Sequence, residues 1–190
     1  MLTPFLLNLK KEKIKNTFMT TQDLNSLEFN EFYKRYIDKL STFMSLEEGY
    51  KVGKSNVLDF FKSIPKSKLE YRYAPEKWTV KEVLQHLIDT ERIFIYRCFR
   101  IARRDITPLM GFDQDIYVAP SKANTKSIEG LMNEFEMNRN NSIAMIDSLS
   151  DDDLKFVGVS SDSPMSARAA AFTILGHDIW HIDVIKERYL

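Results

Sequence analysis

Apolar residues recur every three or four positions through most of the chain, a pattern typical of amphipathic helices. The clearest case begins at residue 46, and its apolar positions with one glycine are Leu46, Tyr50, Gly53, Val57, Phe60 and Ile64. Alternating spacings of four and three keep one stripe of a helix facing its neighbours in a bundle. Pro65 follows and ends the helix. We therefore predict a first bundle helix over residues 46–64.

Three further helices are predicted by the same periodicity together with capping signals. Thr79 with Glu82 three residues later forms a capping box, so a helix begins there and continues to the polar residues 103–105. A third helix is predicted over residues 127–149. The fourth begins near Ser166 and runs almost to the last residue.

Two long polar connections separate these helices, at residues 107–126 and 150–164. The first is rich in aromatic and carboxylate side chains, and long connections in compact domains are often functional. A short amphipathic segment over residues 29–40 precedes the first long helix. Four long amphipathic helices without convincing strands predict an all-α fold, a four-helix bundle.

Length and composition fit one globular domain. The chain has 190 residues, of which 44% are hydrophobic and 28% are charged. We predict that residues 1–26 form a poorly ordered N-terminal extension and that residues 27–190 form the bundle. The apolar start is short and its positive charges follow it, which argues against a secretory signal. Met19 is an alternative to Met1 as the translation start.

Charge and cysteine content narrow the partners and the compartment. Twenty-seven basic residues balance twenty-seven acidic ones, which gives no basic footprint, so we expect no nucleic-acid partner. No apolar stretch is long enough to cross a bilayer, so we expect no membrane partner. Cys98, the single cysteine, cannot form an internal disulfide and lies in an apolar helical run, so we expect an inert buried thiol and a cytoplasmic protein.

The chain has three histidines, and all three are predicted on the inner faces of helices. His177 and His181 are four residues apart, so their side chains lie about 40° apart on one helix face, the spacing that offers two imidazoles to one metal ion. His86 lies one turn into the second long helix. Buried imidazoles without partners are costly. The residues themselves leave two interpretations open, a metal site and a set of hydrogen-bonded core histidines.

Three longer segments resemble the DinB superfamily, which includes YfiT-like proteins. They are YRYAPEKWTVKEVLQHLIDTERIFIYRCFRIARRD, TPLMGFDQDIYV and GHDIWHIDVIKERYL, and the resemblance covers about residues 29–190 in consistent order. It implies a bundle with up-down-down-up connectivity, a zinc or nickel ion held by His86, His177 and His181, and frequently a homodimer. Many members have another histidine directly before the last one. This chain has Trp180 there, which the helical wheel places facing away from the pair.

Three neutral imidazoles leave positions on a metal ion open to water or to a substrate. Such an ion lowers the pKa of bound water toward about 7 and so supports hydrolysis, or it binds and deprotonates a low-molecular-weight thiol. The resemblance implies both, because members include predicted hydrolases and thiol S-transferases. We favour thiol-dependent S-transfer on a small molecule; the alternatives are a metal-dependent hydrolase and a non-catalytic metal-binding stress-response protein. Asp113 and Asp115 of the first connection are candidates for a lid over the site.

Two arginines are predicted on inner faces. Arg139 lies in the middle of the apolar stripe of the third long helix, and Arg97 lies about 20° from His86 on the second. A buried charge needs a partner. One interpretation is a structural ion pair, for which candidate partners are Glu82, Glu136 and Asp89. The other is an anchor for the carboxylate of an anionic substrate or thiol.

Two carboxylates are close in sequence to the histidines. Asp89 follows His86 by three residues, and Asp178 precedes His181 by three, which places each about 60° from its histidine on the helical wheel. Carboxylates at such positions orient metal ligands or act as bases. We therefore predict Asp89, Asp178 and Arg139 as candidate catalytic residues beside the three metal ligands.

Overall fold

The computed structural model describes residues 19–190, and in that range the chain forms seven α-helices and one two-stranded hairpin. The helices are α1 (Glu31–Ile37), α2 (Leu46–Ser63), α3 (Val80–Ala102), α4 (Asp115–Ser121), α5 (Ile128–Asp147), α6 (Asp151–Lys155) and α7 (Ala167–Arg188). The strands are β1 (Val157–Ser160) and β2 (Ser163–Ser166). The long helices α2, α3, α5 and α7 form the predicted bundle, with ends within a few residues of those predicted.

Each long helix begins at a hydroxyl side chain that accepts a hydrogen bond from a backbone N–H of the first turn. These capping residues are Ser45, Thr79, Ser127 and Ser166. At the start of α3 the predicted capping box is complete, because the Glu82 carboxylate accepts the Thr79 backbone N–H at 2.7 Å. Local sequence therefore sets where the bundle helices begin.

In the bundle, α2 and α3 each pack against both α5 and α7. Near the start of α3, the Gln85 side chain donates to Glu134 in the first half of α5, and Asn138 further along α5 donates to the carbonyl of Ile88. The two helices therefore run in the same direction. Tyr189, directly after α7, donates to the carbonyl of Trp78, directly before α3, so α7 runs the opposite way.

The direction of α2 follows from its contacts with α5. Lys54 in the middle of α2 donates to Asn140 in the second half of α5. Phe61 near the end of α2 lines a surface cleft together with Ile128 at the start of α5. These two helices are antiparallel, which completes the expected up-down-down-up connectivity.

The first half of α7 lies entirely in the core, because its residues from Ala167 to Asp178 are all buried. The short helix α1 lies directly across it. A Cβ added to Gly176 would lie 2.0 Å from the backbone oxygen of Tyr36, closer than any side chain tolerates. Glycine at this position therefore allows α1 to cover α7 beside His177.

The expectation of no strands was wrong for the second connection. There β1 and β2 pair antiparallel around Ser161 and Asp162, whose φ values are 51° and 58°. Two successive left-handed residues make a turn that suits a tight hairpin, although neither residue is glycine. The backbone of Leu109 bonds to this hairpin, donating to Val159 O at 3.0 Å and accepting from Ser161 N at 2.9 Å. The hairpin therefore holds the first connection in place.

The predicted N-terminal extension lies largely outside the described residues, which begin at Met19. Met19 is 5% exposed within the core, and its carbonyl accepts the Leu46 N–H at 2.8 Å. The boundary at residue 26 stays a prediction. Cys98 is buried, as expected, and burial raises the pKa of its thiol to about 12. None of the helices within residues 19–190 is long and apolar enough to cross a membrane.

Candidate metal centre

The antiparallel packing of α3 against α7 brings His86, His177 and His181 together. One ring nitrogen from each histidine lies within 4.8 Å of the other two. The ring centroids are 4.5 to 4.8 Å apart. His86 and His177 are almost fully buried, and His181 is partly exposed. The two helices thus form the cluster that the sequence predicted.

The spacing and the protonation of the cluster fit a metal ion. The Nε2 atoms of His86 and His177 are 3.0 Å apart. Two nitrogens bound at about 2.0–2.1 Å to a tetrahedral ion lie about 3.3 Å from each other. Burial lowers the pKa of His86 and His177 well below the usual value and that of His181 to about 4, so the rings are neutral near pH 7, as ligands must be.

The surroundings of His86 also allow a simpler interpretation. Its Nδ1 lies 3.3 Å from the hydroxyl of Thr90, one turn along α3. A neutral His86 can also share a hydrogen bond with His177 through the 3.0 Å contact. In a metal site the Thr90 contact would orient the ring. Without an ion, His86 and His177 would form a hydrogen-bonded pair in the core.

A cavity of about 770 Å³ opens beside His177 and His181. It lies between α1, α3, α7 and the connection that precedes α4. Apart from the histidines, the side chains that line it include Tyr33, Arg35, Tyr36, Thr90, Phe94, Arg97, Phe112, Asp113, Asp115, Ser161, Thr173 and Trp180. His86 lies behind this cavity and lines a smaller space of about 10 Å³ beside α4. A small molecule in the larger cavity would therefore contact the histidine cluster from the side of α7.

The wall provided by α1 was not predicted, and it corrects the expected orientation of Trp180. The Tyr36 ring lies 5.2 Å from the ring of His177 and 5.7 Å from that of Trp180, measured between centroids. Trp180 lines the same cavity as the histidines. Trp180 follows His177 by three residues, so it lies only about 60° from His177 on the helical wheel. The helix α1 crosses α7 on that side and extends the cavity to Trp180. The aromatic residues of the segment 29–40 were the available signal.

Arg139 forms a fully buried ion-pair network rather than lining the cavity. Its guanidinium donates to both oxygens of Glu91, at 2.7 and 3.0 Å, and to Asp178 at 2.6 Å. The suggested partners Glu82, Glu136 and Asp89 were therefore wrong for Arg139. Glu91 and Asp178 were missed because a wheel drawn for one helix does not show which carboxylates a neighbouring helix presents.

Asp178 is aimed at Arg139, away from the cavity. Its pKa is raised to about 6 because burial and the neighbouring Glu91 disfavour the charged form more than Arg139 stabilises it. Among the described residues, no hydrogen bond joins Asp178 to a histidine. The catalytic roles predicted for Asp178 and Arg139 stay predictions, and these contacts are those of a structural network.

Asp89 lies on the other side of α3, near His86. Its carboxylate accepts hydrogen bonds from Gln85 and Arg92, each at 3.0 Å. It lines the small space that also contains His86. Its predicted role as a base or orienting group stays a prediction.

The first connection lines one side of the cavity around the start of α4, and its predicted role as a lid stays a prediction. Asp113 and Asp115 both line the cavity and are both exposed. Arg97 lines the same wall from α3 and is 2% exposed. The structure therefore separates the two predicted arginines, with Arg139 in the core and Arg97 at the cavity.

Comparison with known proteins agrees with this architecture. The sequence profile of the DinB superfamily matches residues 50–185. One solved structure that resembles the chain is YfiT from Bacillus subtilis, described as a probable metal-dependent hydrolase with an unusual four-helix bundle topology. It superposes with a TM-score of 0.64 over 86% of this chain and 89% of that one, at 19% sequence identity. No curated protein sequence matches the chain.

Proposed function

This chain belongs to the DinB superfamily, and we propose that it is a metal-dependent enzyme that acts on a small molecule. His86, His177 and His181 would hold the ion. The observation that carries the proposal is the approach of three neutral ring nitrogens within 4.8 Å of one another, at the wall of a cavity of about 770 Å³. Drug-sized ligands occupy cavities of this size.

Zinc and nickel are the ions we propose, because imidazole ligands suit both. When bound at three histidines, such an ion keeps a position open and lowers the pKa of a water or thiol that occupies it. The chain's own residues would provide the surroundings. Thr90 would orient His86, and Tyr36 and Trp180 would shield His177 from bulk water.

For the reaction, we propose thiol-dependent S-transfer, with a low-molecular-weight thiol as co-substrate. The cavity is large enough for a thiol and a second small molecule, and six of its lining residues are aromatic, namely Phe32, Tyr33, Tyr36, Phe94, Phe112 and Trp180. Metal-dependent hydrolysis is the second candidate, favoured by the description of YfiT as a probable metal-dependent hydrolase. The exposed carboxylates of Asp113 and Asp115 would accept a proton in either reaction.

We also propose that the protein is a cytoplasmic homodimer that binds neither nucleic acid nor membranes. The formal net charge of zero supports the absence of a nucleic-acid partner. Light scattering of the purified protein tests the dimer, and a mass equal to the 22.3 kDa of one chain would contradict it.

The metal is tested first, on protein purified without an affinity tag. We expect about one zinc or nickel ion per chain by mass spectrometry, and we expect His181→Ala to lose it. Asp59→Ala, at an exposed position of α2 away from the histidines, is the matched control and should retain the ion. Wild-type protein without a bound metal, after incubation with either ion, would contradict the proposal.

The reaction is tested next with the metal-loaded protein. A thiol is offered with a panel of alkylating and epoxide electrophiles, and a panel of esters and amides is offered without a thiol. Activity that requires both thiol and metal supports S-transfer, and activity on the second panel supports hydrolysis. Turnover that is unchanged after removal of the ion would contradict both candidates.

A further inference from the structure

Arg97 is a buried cation without a charged partner. Its side chain is 2% exposed, yet no carboxylate within residues 19–190 forms an ion pair with it. The other deeply buried arginines differ, because Arg139 pairs with Glu91 and Asp178, and Arg168 pairs with Glu28. A buried charge that is not neutralised is costly. Arg97 therefore lacks the kind of partner that this fold supplies to comparable side chains.

The contacts of Arg97 are all with neutral groups. Its Nη2 donates to the carbonyl of Met110 at 3.0 Å and to the hydroxyl of Ser161 at 3.2 Å. The guanidinium carbon lies 4.8 Å from the ring centroid of Phe94 and 5.6 Å from that of Phe112. Burial lowers the pKa of Arg97, and Tyr33 partly offsets this. These contacts fix the guanidinium in place without neutralising it.

The position of Arg97 relates it to the histidines. Thr90, Phe94 and Arg97 follow one another on the same face of α3, and all three line the cavity that His177 and His181 also line. Residues 86 and 97 are about 16 Å apart along the helix axis, at 1.5 Å per residue. The aromatic ring of Phe94 lies between the two ends. The cavity wall is thus polar at the histidines, apolar in the middle and cationic at Arg97.

We propose that Arg97 binds a carboxylate of the substrate, so that this cavity takes an elongated monoanion whose reactive group lies at the histidines. The inference rests on the proposed function for the reactive end, whereas the anionic end depends on Arg97. A guanidinium with fixed orientation is suited to a carboxylate. A phosphate dianion fits less well, because Asp113 and Asp115 balance the charges of Arg35 and Arg97 around the cavity.

The competing explanation is that Arg97 is only a structural link between α3, the connection at Met110 and the hairpin at Ser161. Two variants separate these roles. Arg97→Met removes the charge and keeps a long side chain, whereas Ser161→Ala removes one of the linking hydrogen bonds and keeps the charge. A structural link predicts similar effects of both variants on ligand binding, and an anion site predicts an effect of Arg97→Met only.

The test uses 6-mercaptohexanoate and its methyl ester, which differ in charge at one end and share the thiol at the other. Calorimetric titration is carried out on the full chain, both loaded with Co²⁺ and metal-free. We expect the wild type and Ser161→Ala to bind the acid at least tenfold more tightly than the ester in both forms. Arg97→Met should bind the acid and the ester equally. Arg97→Lys should show an intermediate preference, because lysine keeps the charge but lacks the planar pair of N–H donors of the guanidinium.

Comparison of the Co²⁺-loaded protein with the metal-free protein separates the role of Arg97 from the proposed metal site. A preference for the acid without any gain from Co²⁺ would support Arg97 as the carboxylate site and count against the metal site. Thiol binding that requires Co²⁺ but shows no preference for the acid would support the metal site and count against Arg97 as the carboxylate site. Failure of the acid to bind, or a preference that survives in Arg97→Met, would overturn the inference. If circular dichroism shows that Arg97→Met does not fold, Arg97→Gln and Arg97→Lys are measured in its place. Both variants should then have a smaller preference for the acid over the ester than the wild type, and an unchanged preference would overturn the inference.

Discussion

Two regions of this molecule contain buried polar side chains, and the two regions differ in the partners that those side chains have. In the centre of the bundle, Arg139 is bonded to Glu91 and Asp178, all three at most 4% exposed. At the cavity wall, Arg97, His86 and His177 are also buried, but their partners within the described chain are neutral. The first region pairs its buried charge with carboxylates of the chain itself. In the second region, the charge of Arg97 and the ring nitrogens of the histidines have no charged partner within residues 19–190 and are available to a ligand.

This difference separates structural polar groups from candidate functional ones. In the central network the one donor left without an acceptor is Arg139 Nη1, which lies beside Gly53. The guanidinium carbon of Arg139 is 5.1 Å from the ring centroid of Tyr50 and 5.0 Å from that of Phe135. The cavity groups instead have polar atoms that a metal ion or an anion would satisfy. Burial therefore does not distinguish the two roles, whereas the charge of the neighbours does.

The largest effect should come from breaking the central network. Glu91→Ala leaves Arg139 buried with only Asp178 as a charged partner, and we expect a loss of about 3–5 kcal/mol in the free energy of unfolding. Urea denaturation measures it. The matched control is Glu134→Ala, which removes a partly exposed partner of Arg92 and Lys126 and should cost less than about 1 kcal/mol. Similar losses in the two variants would contradict the special role of the central network.

Acid should destabilise the metal-free protein because the pKa values of the three histidines at the cavity are lowered in the folded state. The folded pKa of His181 is lowered to about 4, and those of His86 and His177 lie well below their usual value, so the unfolded chain binds more protons as pH falls below about 6.5. Each such histidine contributes a loss of about 1.4 kcal/mol per pH unit. Asp178, with a pKa raised to about 6, acts in the opposite direction and cancels part of one histidine's contribution.

Denaturation curves between pH 7.5 and 5 test this sign. Stability should fall toward pH 5, and His181→Gln should show a shallower dependence because it removes one proton-binding group from the unfolded chain. Stability that rises toward pH 5 would contradict the buried, neutral state of the histidines.

A smaller loss of folding stability is expected from a substitution at Gly176, where α1 packs on α7 and forms the cavity wall. The Cβ introduced by Gly176→Ala meets the backbone of Tyr36, and overpacking of this kind costs about 1–3 kcal/mol. The displaced α1 should also expose Trp180, which shifts its fluorescence to longer wavelength. Gly53→Ala is the control, because its Cβ would meet its nearest neighbour at an ordinary 3.4 Å. An unchanged spectrum in Gly176→Ala would show that α1 does not pack there.

The smallest effect concerns the orientation of His86. Thr90→Val keeps the side-chain shape and removes the hydroxyl next to His86 Nδ1, so we expect metal affinity to fall by about 10- to 100-fold. Thr173→Val, one turn before His177 on α7, should leave affinity unchanged, because the Thr173 hydroxyl donates to the Ala169 carbonyl and not to a histidine. A competition titration with a chelator measures both. Equal affinities in Thr90→Val and wild type would remove Thr90 from the site.

Features that depend on neighbouring positions in the sequence could be predicted. The helix starts at Thr79, Ser127 and Ser166 follow from local capping chemistry. The pair formed by His177 and His181 follows from helical spacing. The addition of His86 to that pair required the family resemblance, because periodicity within α3 does not specify which helix packs against it.

Features that depend on packing between elements could not be predicted. The partners of Arg139 come from α3 and α7, and single-helix wheels do not show them. The position of α1 depends on the absence of one side chain at Gly176. The hairpin turn uses Ser161 and Asp162 in left-handed conformations, which composition does not signal. The cavity is formed by these features together, so its lining was only partly foreseen.

If His86, His177 and His181 hold one metal ion, as we propose, its coordination shell should be rich in imidazole nitrogen. X-ray absorption spectroscopy of the zinc-loaded protein measures this shell, with His181→Ala as the comparison. We expect about three imidazole nitrogens at about 2.0–2.1 Å from the ion in the wild type and a loss of ordered imidazole scattering in the variant. A spectrum with water oxygens only, or identical spectra for the two proteins, would contradict the proposed metal site.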